Sequence, residues 1–442
     1  MKTIQSGPTK PRKGPSFFKL FGGVGALSFL TYVGEYASFI IVLVFLSDKF
    51  TVTFGLGTFG YAFVGLISGG FLVSSGLIAI GAGHLADKYG RRKMMIIGCL
   101  LGAVALISLI VADSFNQLLP FAVATAISLT GLGIAHGTYT ASTLAYGGDI
   151  AEKHQTMGKA YGLVDGAEFA GFAFGPALGT TVAVLASRTA VFELSTLLLL
   201  IAAGLAVVVM PEIRSASHVE AAAHHEGEKD EGESAHAEAH SHSASWADYV
   251  NAFRTPIVGV ALLTTLVGAV GFSVFFYYVP LYAHSLSRAV PEFGLYFGYF
   301  ASIMAITGVL FMVPFGHYED RTNRRMPYLV FGLIAGAASL ALVFFTATVA
   351  TFFIAAVAFG LAIGVVRVSQ LVILAEASHP SNRAAIMGTN HALEHVGYGL
   401  ASATFGTLVA FLGFVSAFRF ISLLLLLAGV AFLLYARQAK VK

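Results

Sequence analysis

Apolar runs of membrane-spanning length, separated by short polar breaks, occupy most of this chain of 442 residues. They lie at roughly 18–47, 58–86, 94–112, 119–146, 159–185 and 190–210. After a polar interval they resume at roughly 255–283, 294–316, 328–348, 351–376, 385–412 and 415–436. A helix needs roughly 20 mostly apolar residues to cross the hydrocarbon core of a bilayer, and it satisfies its own backbone polar groups on the way. The pattern predicts an all-α membrane protein of about twelve transmembrane helices in two six-helix bundles. Two of the breaks, from Ala186 to Thr189 and around Val349, are very brief.

Composition supports the same class. Hydrophobic residues make up 57% of the chain and charged ones 11%, against about 25% charged in an ordinary soluble domain. One water-soluble core could not hide so much apolar surface, so the excess calls for lipid. The 49 glycines suit membrane helices, where small residues let backbones approach. A net charge of +3, with no basic stripe interleaved with aromatics, excludes nucleic acid as a partner. The single cysteine, Cys99, excludes an intramolecular disulfide. No G-x-x-x-x-G-K-[ST] run is present, so ATP is not the expected energy source.

Basic residues set the orientation, because loops rich in Lys and Arg stay in the cytosol. Lys88, Arg91, Arg92 and Lys93 follow segment 2, and Arg321, Arg324 and Arg325 follow segment 8. Arg383 follows segment 10, and Arg437, Lys440 and Lys442 close the chain, whereas loops of the other parity carry little charge. Both termini are therefore expected in the cytoplasm of a cell (inner) membrane protein. The expected organisation is a cytosolic tail at 1–17, a six-helix bundle at 18–210, a linker at 211–254, a second bundle at 255–436 and a tail at 437–442. The basic start reads as a tail before a retained first helix, since no small-residue cleavage site follows the first apolar run. Within the linker, residues 215–245 are Ala, Glu, Ser and His with almost no large apolar side chains, a composition expected to stay disordered.

The halves repeat. Gly83-His-Leu-Ala-Asp87-Lys-Tyr-Gly90-Arg91-Arg92 recurs as Gly316-His-Tyr-Glu-Asp320-Arg-Thr-Asn323-Arg324-Arg325. Met157-Gly158 after segment 4 recurs as Met387-Gly388 after segment 10. The first of these runs meets G-x-x-x-D-[RK]-x-G-[RK]-[RK] at Gly83, Asp87, Lys88, Gly90, Arg91 and Arg92, and on it the chain resembles the major facilitator superfamily. Gly83 would permit close packing, Asp87 would meet a helix N-terminus or an arginine, and Gly90 would make the tight turn. Asp320 and Arg324 hold the matching places in the second copy, where Asn323 replaces the glycine. The resemblance implies secondary transport by alternating access, with these two loops as gates. It also implies that helices 1, 4, 7 and 10 line a central cavity and 2, 5, 8 and 11 meet at the seam between halves.

Segment 5 carries a second pattern. Gly162, Gly171, Gly175, Pro176 and Gly179 fit G-x8-G-x3-G-P-x-x-G-G except at Thr180. This resembles the antiporter motif of the drug:proton exchangers, which implies export of a small molecule against protons. Those exchangers also carry an arginine in helix 4, where this chain has Ile127, so coupling must use other groups.

Ionisable residues at bilayer depth are costly and mark candidate sites. They are Glu35, His136, Asp165, Glu168, Arg367, His391, Glu394 and His395. Asp165 and Glu168 fall on one helix face, as do His391, Glu394 and His395. The competing reading is a buried structural network, such as Arg367 neutralising Glu35 or Glu394. His391-x-x-Glu394-His395 also has the form of a zinc-enzyme helix, but it lacks that catalytic context, so no enzyme is expected. In the linker, His218, His224, His225, His236, His240 and His242 stand among many acids and could hold metal loosely, although they lack fixed ligand spacing. The expected partners are a small-molecule or ion substrate, protons and the bilayer, for a monomer that needs no cofactor. Two other functions stay open: a divalent transition-metal transporter, and a non-transporting membrane sensor or scaffold on the same fold.

Overall fold

The structure, a computed structural model, describes residues 17–154, 157–210, 256–322, 325–345, 347–377 and 383–438. Every element among them is helical. The first half comprises α1 (Phe17–Asp48), α2 (Gly60–Tyr89), α3 (Arg91–Ala112), α4 (Leu118–His154), α5 (Met157–Leu185) and α6 (Arg188–Val209). In the second half, α7 (Pro256–Ser273) runs through a π-helical turn (Val274–Tyr278) into α8 (Val279–Leu286). Then come α9 (Phe293–Thr322), α10 (Arg325–Phe345), α11 (Val349–Ala377) and α12 (Arg383–Gln438).

Eleven stretches among the described residues are long and apolar enough to cross a membrane. The last, Thr389–Tyr435, has 47 residues. At about 1.5 Å per residue it is roughly 70 Å long, more than twice a bilayer core of about 30 Å. Gly413, at φ 75°, breaks α12 into two crossings, a conformation that costs glycine little. Counting it twice gives the twelve segments of the hydrophobic pattern.

Lipid completes the fold. Val104, Ile127, Leu185 and Val208 are 63, 68, 82 and 82% exposed, on a surface that water would not tolerate. Ile127 thus faces outward, away from every ionisable group in the core.

The joints are short and locally encoded. Gly90, at φ 101° and ψ 135°, ends α2 and starts α3. This is a backbone that side chains other than glycine rarely adopt. Ser187 caps α6, its hydroxyl accepting the Ala190 N–H at 3.0 Å. The π-helical turn widens one turn of the seventh crossing and buries Phe275, Phe276, Tyr277 and Tyr278 in succession.

Two seams join the halves, and both are made close by small residues. On the first, Gly65 and Gly69 of α2 pack on Ser402, Gly399 and Gly406 of α12. There the Ser68 and Ser402 hydroxyls meet at 2.8 Å. On the second, Gly298 of α9 receives Pro176 and Thr180 of α5. Thr180, where the antiporter pattern has glycine, is fully buried, so Gly298 on the facing helix supplies the missing space. Ser302 Oγ accepts the Ala177 N–H at 2.9 Å, and Thr181 meets the Tyr299 hydroxyl at 2.7 Å. Within the first half, Gly171, Gly175 and Gly179 of α5 lie against Tyr32, Tyr36 and Ala37 of α1. One face of α5 therefore holds α1, and its proline turn meets the other half.

Candidate functional site

A buried polar layer crosses the middle of the molecule, built from charges that each half provides. Glu35 on α1 has no exposed surface, and both its carboxylate oxygens lie 2.8 Å from His136 Nδ1 on α4. The Tyr139 hydroxyl stands 3.1 Å from the same nitrogen. Nδ1–H thus donates to the carboxylate, which orients the imidazole and leaves Nε2 facing elsewhere. In the second half, Arg367 on α11 ion-pairs with Glu394 on α12, and the Tyr398 hydroxyl also donates to that carboxylate. The Arg367 guanidinium also stacks 5.1 Å from the Phe169 ring of α5, reaching across the seam.

The two charge systems meet through histidine. His395 lies with its ring centre 5.3 Å from that of His136 and 4.6 Å from that of His391. Its Nδ1 stands 2.9 Å from Ser75 Oγ of α2, and Gly76 packs beneath its Cβ. A small cavity opens beside these rings. Glu168, Arg367, His391, Glu394, His395 and Gln370 give it a polar wall, and Phe169, Phe172, Phe272 and Tyr398 an aromatic one. Deeper in the aromatic wall, Tyr36 stacks on Phe172 at 4.0 Å, and Phe172 meets Phe276 of the π-helical turn at 5.1 Å. Gln370 donates to Thr265 and, at 2.9 Å, to Asn390, and Thr265 donates to Asn390 at 2.5 Å.

Of the ionisable residues singled out in the sequence, Glu35, His136, Glu168, Arg367, His391, Glu394 and His395 come together here. The Asp165 side chain lies outside the described residues. Arg367 neutralises Glu394, whereas Glu35 is held by His136. Within the His391-x-x-Glu394-His395 run, the Glu394 carboxylate is taken up by Arg367 and Tyr398. Sequence reasoning missed Ser75, Thr265, Gln370, Asn390 and Tyr398. Gln370 and Asn390 were legible as amides inside apolar segments, but the others are residues that membrane helices commonly carry.

At the ends of the helices two further clusters appear. Near the exit of α1, Asp48 accepts from Arg188 at the start of α6 and lies 3.2 Å from His284 Nε2 of α8. This ties the halves together at that end. Around the α2–α3 loop, Arg91 is buried, and in the matching loop Arg325 reaches Asp320 at 3.4 Å. Apart from Gly83's own helical turn, no atom of the described residues lies within 4 Å of where its Cβ would sit. The Asp87 side chain, Arg324, the side-chain environment of Gly162 and the linker histidines 218, 224, 225, 236, 240 and 242 lie outside the described residues.

Two related halves, a central polar cavity and small-residue seams between α2 and α12 and between α5 and α9 agree with a family profile. The profile of the Major Facilitator Superfamily matches residues 24–311 and 289–442. The chain belongs to the Major Facilitator Superfamily. As a member it is a multi-pass membrane protein and a secondary transporter of a small-molecule substrate. No curated protein sequence matches it significantly. Its fold is similar to that of the nucleoside transporter NupG, with TM-score 0.71 at 14% identity, over 94% of this chain and 98% of that one. It is similar also to a POT family transporter in complex with 5-aminolevulinic acid, at TM-score 0.70 and 13% identity, over 97% and 98% of the two chains. The human organic anion transporter MFSD10 gives TM-score 0.61 at 15% identity, over 95% of this chain and 100% of its own. At such identities the likeness concerns the fold alone.

Proposed function

We propose that this superfamily member exchanges a small amphipathic molecule for protons, exporting it by alternating access. The observation that carries the reading is the Glu35–His136 pair, buried where the halves meet and one ring away from His395 of the other half. A carboxylate–imidazole pair can share, bind and release a proton, and burial between two rocking halves lets each face of the membrane reach it in turn. The pair takes the place of the helix 4 arginine that Ile127 cannot supply.

Substrate would lie beside it. Arg367, Glu394 and His391 offer charge, Gln370, Asn390 and Thr265 offer hydrogen bonds, and Phe169, Phe172 and Phe272 offer ring faces. Such a wall suits a molecule with an apolar body and a few polar groups. The direction rests on the glycine pattern of α5, whose members pack on α1 at every described position. The loops holding Gly83, Asp87, Gly90 and Arg91, and Asp320 and Arg324, would gate the cytoplasmic end. The Asp48 cluster would close the other.

The test is a substrate panel on the purified chain in proteoliposomes carrying an internal pH dye. Protons moving opposite to a transported compound, and no longer moving in Glu35→Gln, is the expected result. Transport of a compound without proton movement, or with protons in the same direction, overturns exchange.

A further inference from the structure

Three side chains from three helices converge where the halves touch. One ligand atom each from His136 of α4, Glu168 of α5 and His395 of α12 lie within 4.8 Å of one another. Two features set this group apart from an ordinary buried network. His136 Nε2 is fully buried and has no hydrogen-bond partner among the described residues, a costly state for a polar atom. Its other nitrogen is held by Glu35, both of whose oxygens lie 2.8 Å away. A carboxylate behind one imidazole nitrogen, with the other nitrogen free, is how a metal-binding histidine is oriented and made more basic.

We infer that His136, Glu168 and His395 form a binding site for a divalent transition-metal ion held between the two halves. Two imidazoles and one carboxylate are the donor set of zinc and its neighbours, not of magnesium or calcium, which prefer all-oxygen shells. Glu168 and the Glu35 behind His136 bring two carboxylates to the site, the kind of charge a buried dication requires. Ligands at about 2.0–2.1 Å from zinc stand roughly 3.4 Å apart in a tetrahedron. The three atoms therefore need to close by roughly an ångström, within reach of side-chain rotation. Glu168 and His395 line the cavity, so water there, or His391 with its ring 4.6 Å from that of His395, could supply a fourth donor. Because two ligands belong to one half and the third to the other, a bound ion holds the halves in the arrangement seen here. This goes beyond proton exchange and does not depend on it.

The linker histidines could also take up metal loosely, so the experiment must read the site and not the total. Purified full-length wild type and His395→Cys are titrated with Co²⁺ alone, and their absorption spectra are compared. The linker contains no cysteine, and the native thiol Cys99 is buried in the core. A thiolate-to-cobalt charge-transfer band that appears only in His395→Cys, saturates at one equivalent and is unaffected by excess Mg²⁺ supports the site. Adding His136→Gln to that variant is expected to abolish the band, and adding Glu35→Gln to weaken Co²⁺ binding by about 10- to 100-fold. No band in a His395→Cys protein that unfolds at the wild-type temperature overturns the inference. If that variant misfolds, His136→Gln alone is the arbiter. Loss of one high-affinity equivalent relative to wild type sustains the site, and unchanged stoichiometry and affinity overturn it. Binding is measured without flux, so a negative result leaves proton exchange standing, and a failure of exchange leaves the metal site standing.

Discussion

Replacing Gly175 with alanine tests whether the glycine pattern of α5 exists to let α1 approach. A Cβ at Gly175 would lie 2.7 Å from Tyr36 Cβ and 2.9 Å from the Ala37 backbone nitrogen. Carbon atoms are comfortable at about 3.5–4.0 Å, so α1 and α5 would have to part by roughly an ångström at this crossing. Backbone atoms cannot swing aside as a side-chain tip can. Overpacking of this kind costs about 1–3 kcal/mol, and the better helix propensity of alanine returns up to about 1 kcal/mol. The expected net loss is about 1–2 kcal/mol. Gly166, on the same helix, is the internal control. Nothing among the described residues lies within 4 Å of its Cβ position, so Gly166→Ala should be neutral or gain up to about 1 kcal/mol. The assay is thermal unfolding of purified protein in one detergent, with the two variants and wild type side by side. Equal stability of Gly175→Ala and Gly166→Ala would refute the packing argument, because the two substitutions differ only in what the new methyl group meets.

Glu35→Gln keeps an acceptor for His136 but removes the charge. It should cost about 1–2 kcal/mol of stability and stop substrate-driven proton movement, as read by the dye in proteoliposomes. Glu394→Gln removes the carboxylate that Arg367 and Tyr398 share and should cost about 2–3 kcal/mol, below the fully buried range because Arg367 is 30% exposed. The double variant Glu394→Met with Arg367→Leu should unfold closer to wild type, and a double variant as unstable as the sum of the singles would show that the pair is not one unit. Asp48→Asn weakens the tie to Arg188 and His284, so labelling of Ser285→Cys by a membrane-impermeant maleimide should quicken about fivefold, for a tie worth about 1 kcal/mol. An unchanged labelling rate would remove Asp48 from the gate. Replacing residues 215–245 with a Gly/Ser linker of similar length should leave insertion and basal flux intact, since that composition has nothing to pack. A well-inserted but inactive deletion variant would place the linker in the transport cycle.

The hydrophobic pattern by itself determined that the chain is a bundle of about twelve membrane helices, because crossing a bilayer imposes a length and a polarity that local composition records. It also determined the turn at Gly90, since a tight break between two helices leaves few residues besides glycine able to adopt φ 101°. The ionisable residues of the core were legible one by one, because each is expensive in an apolar run. Their partners were not. That His136 holds Glu35 while Arg367 holds Glu394 depends on which helices touch, and helical periodicity says nothing of contacts 101 residues apart. The role of the α5 glycines likewise came only with packing. Spacing marks a smooth face, but that α1 and not the opposite half lies on it was decided by α1 settling there. The convergence of His136, Glu168 and His395 has the same origin. Each sits on a different helix, and His395 comes within 4.8 Å of the other two only because the second half packs against the first.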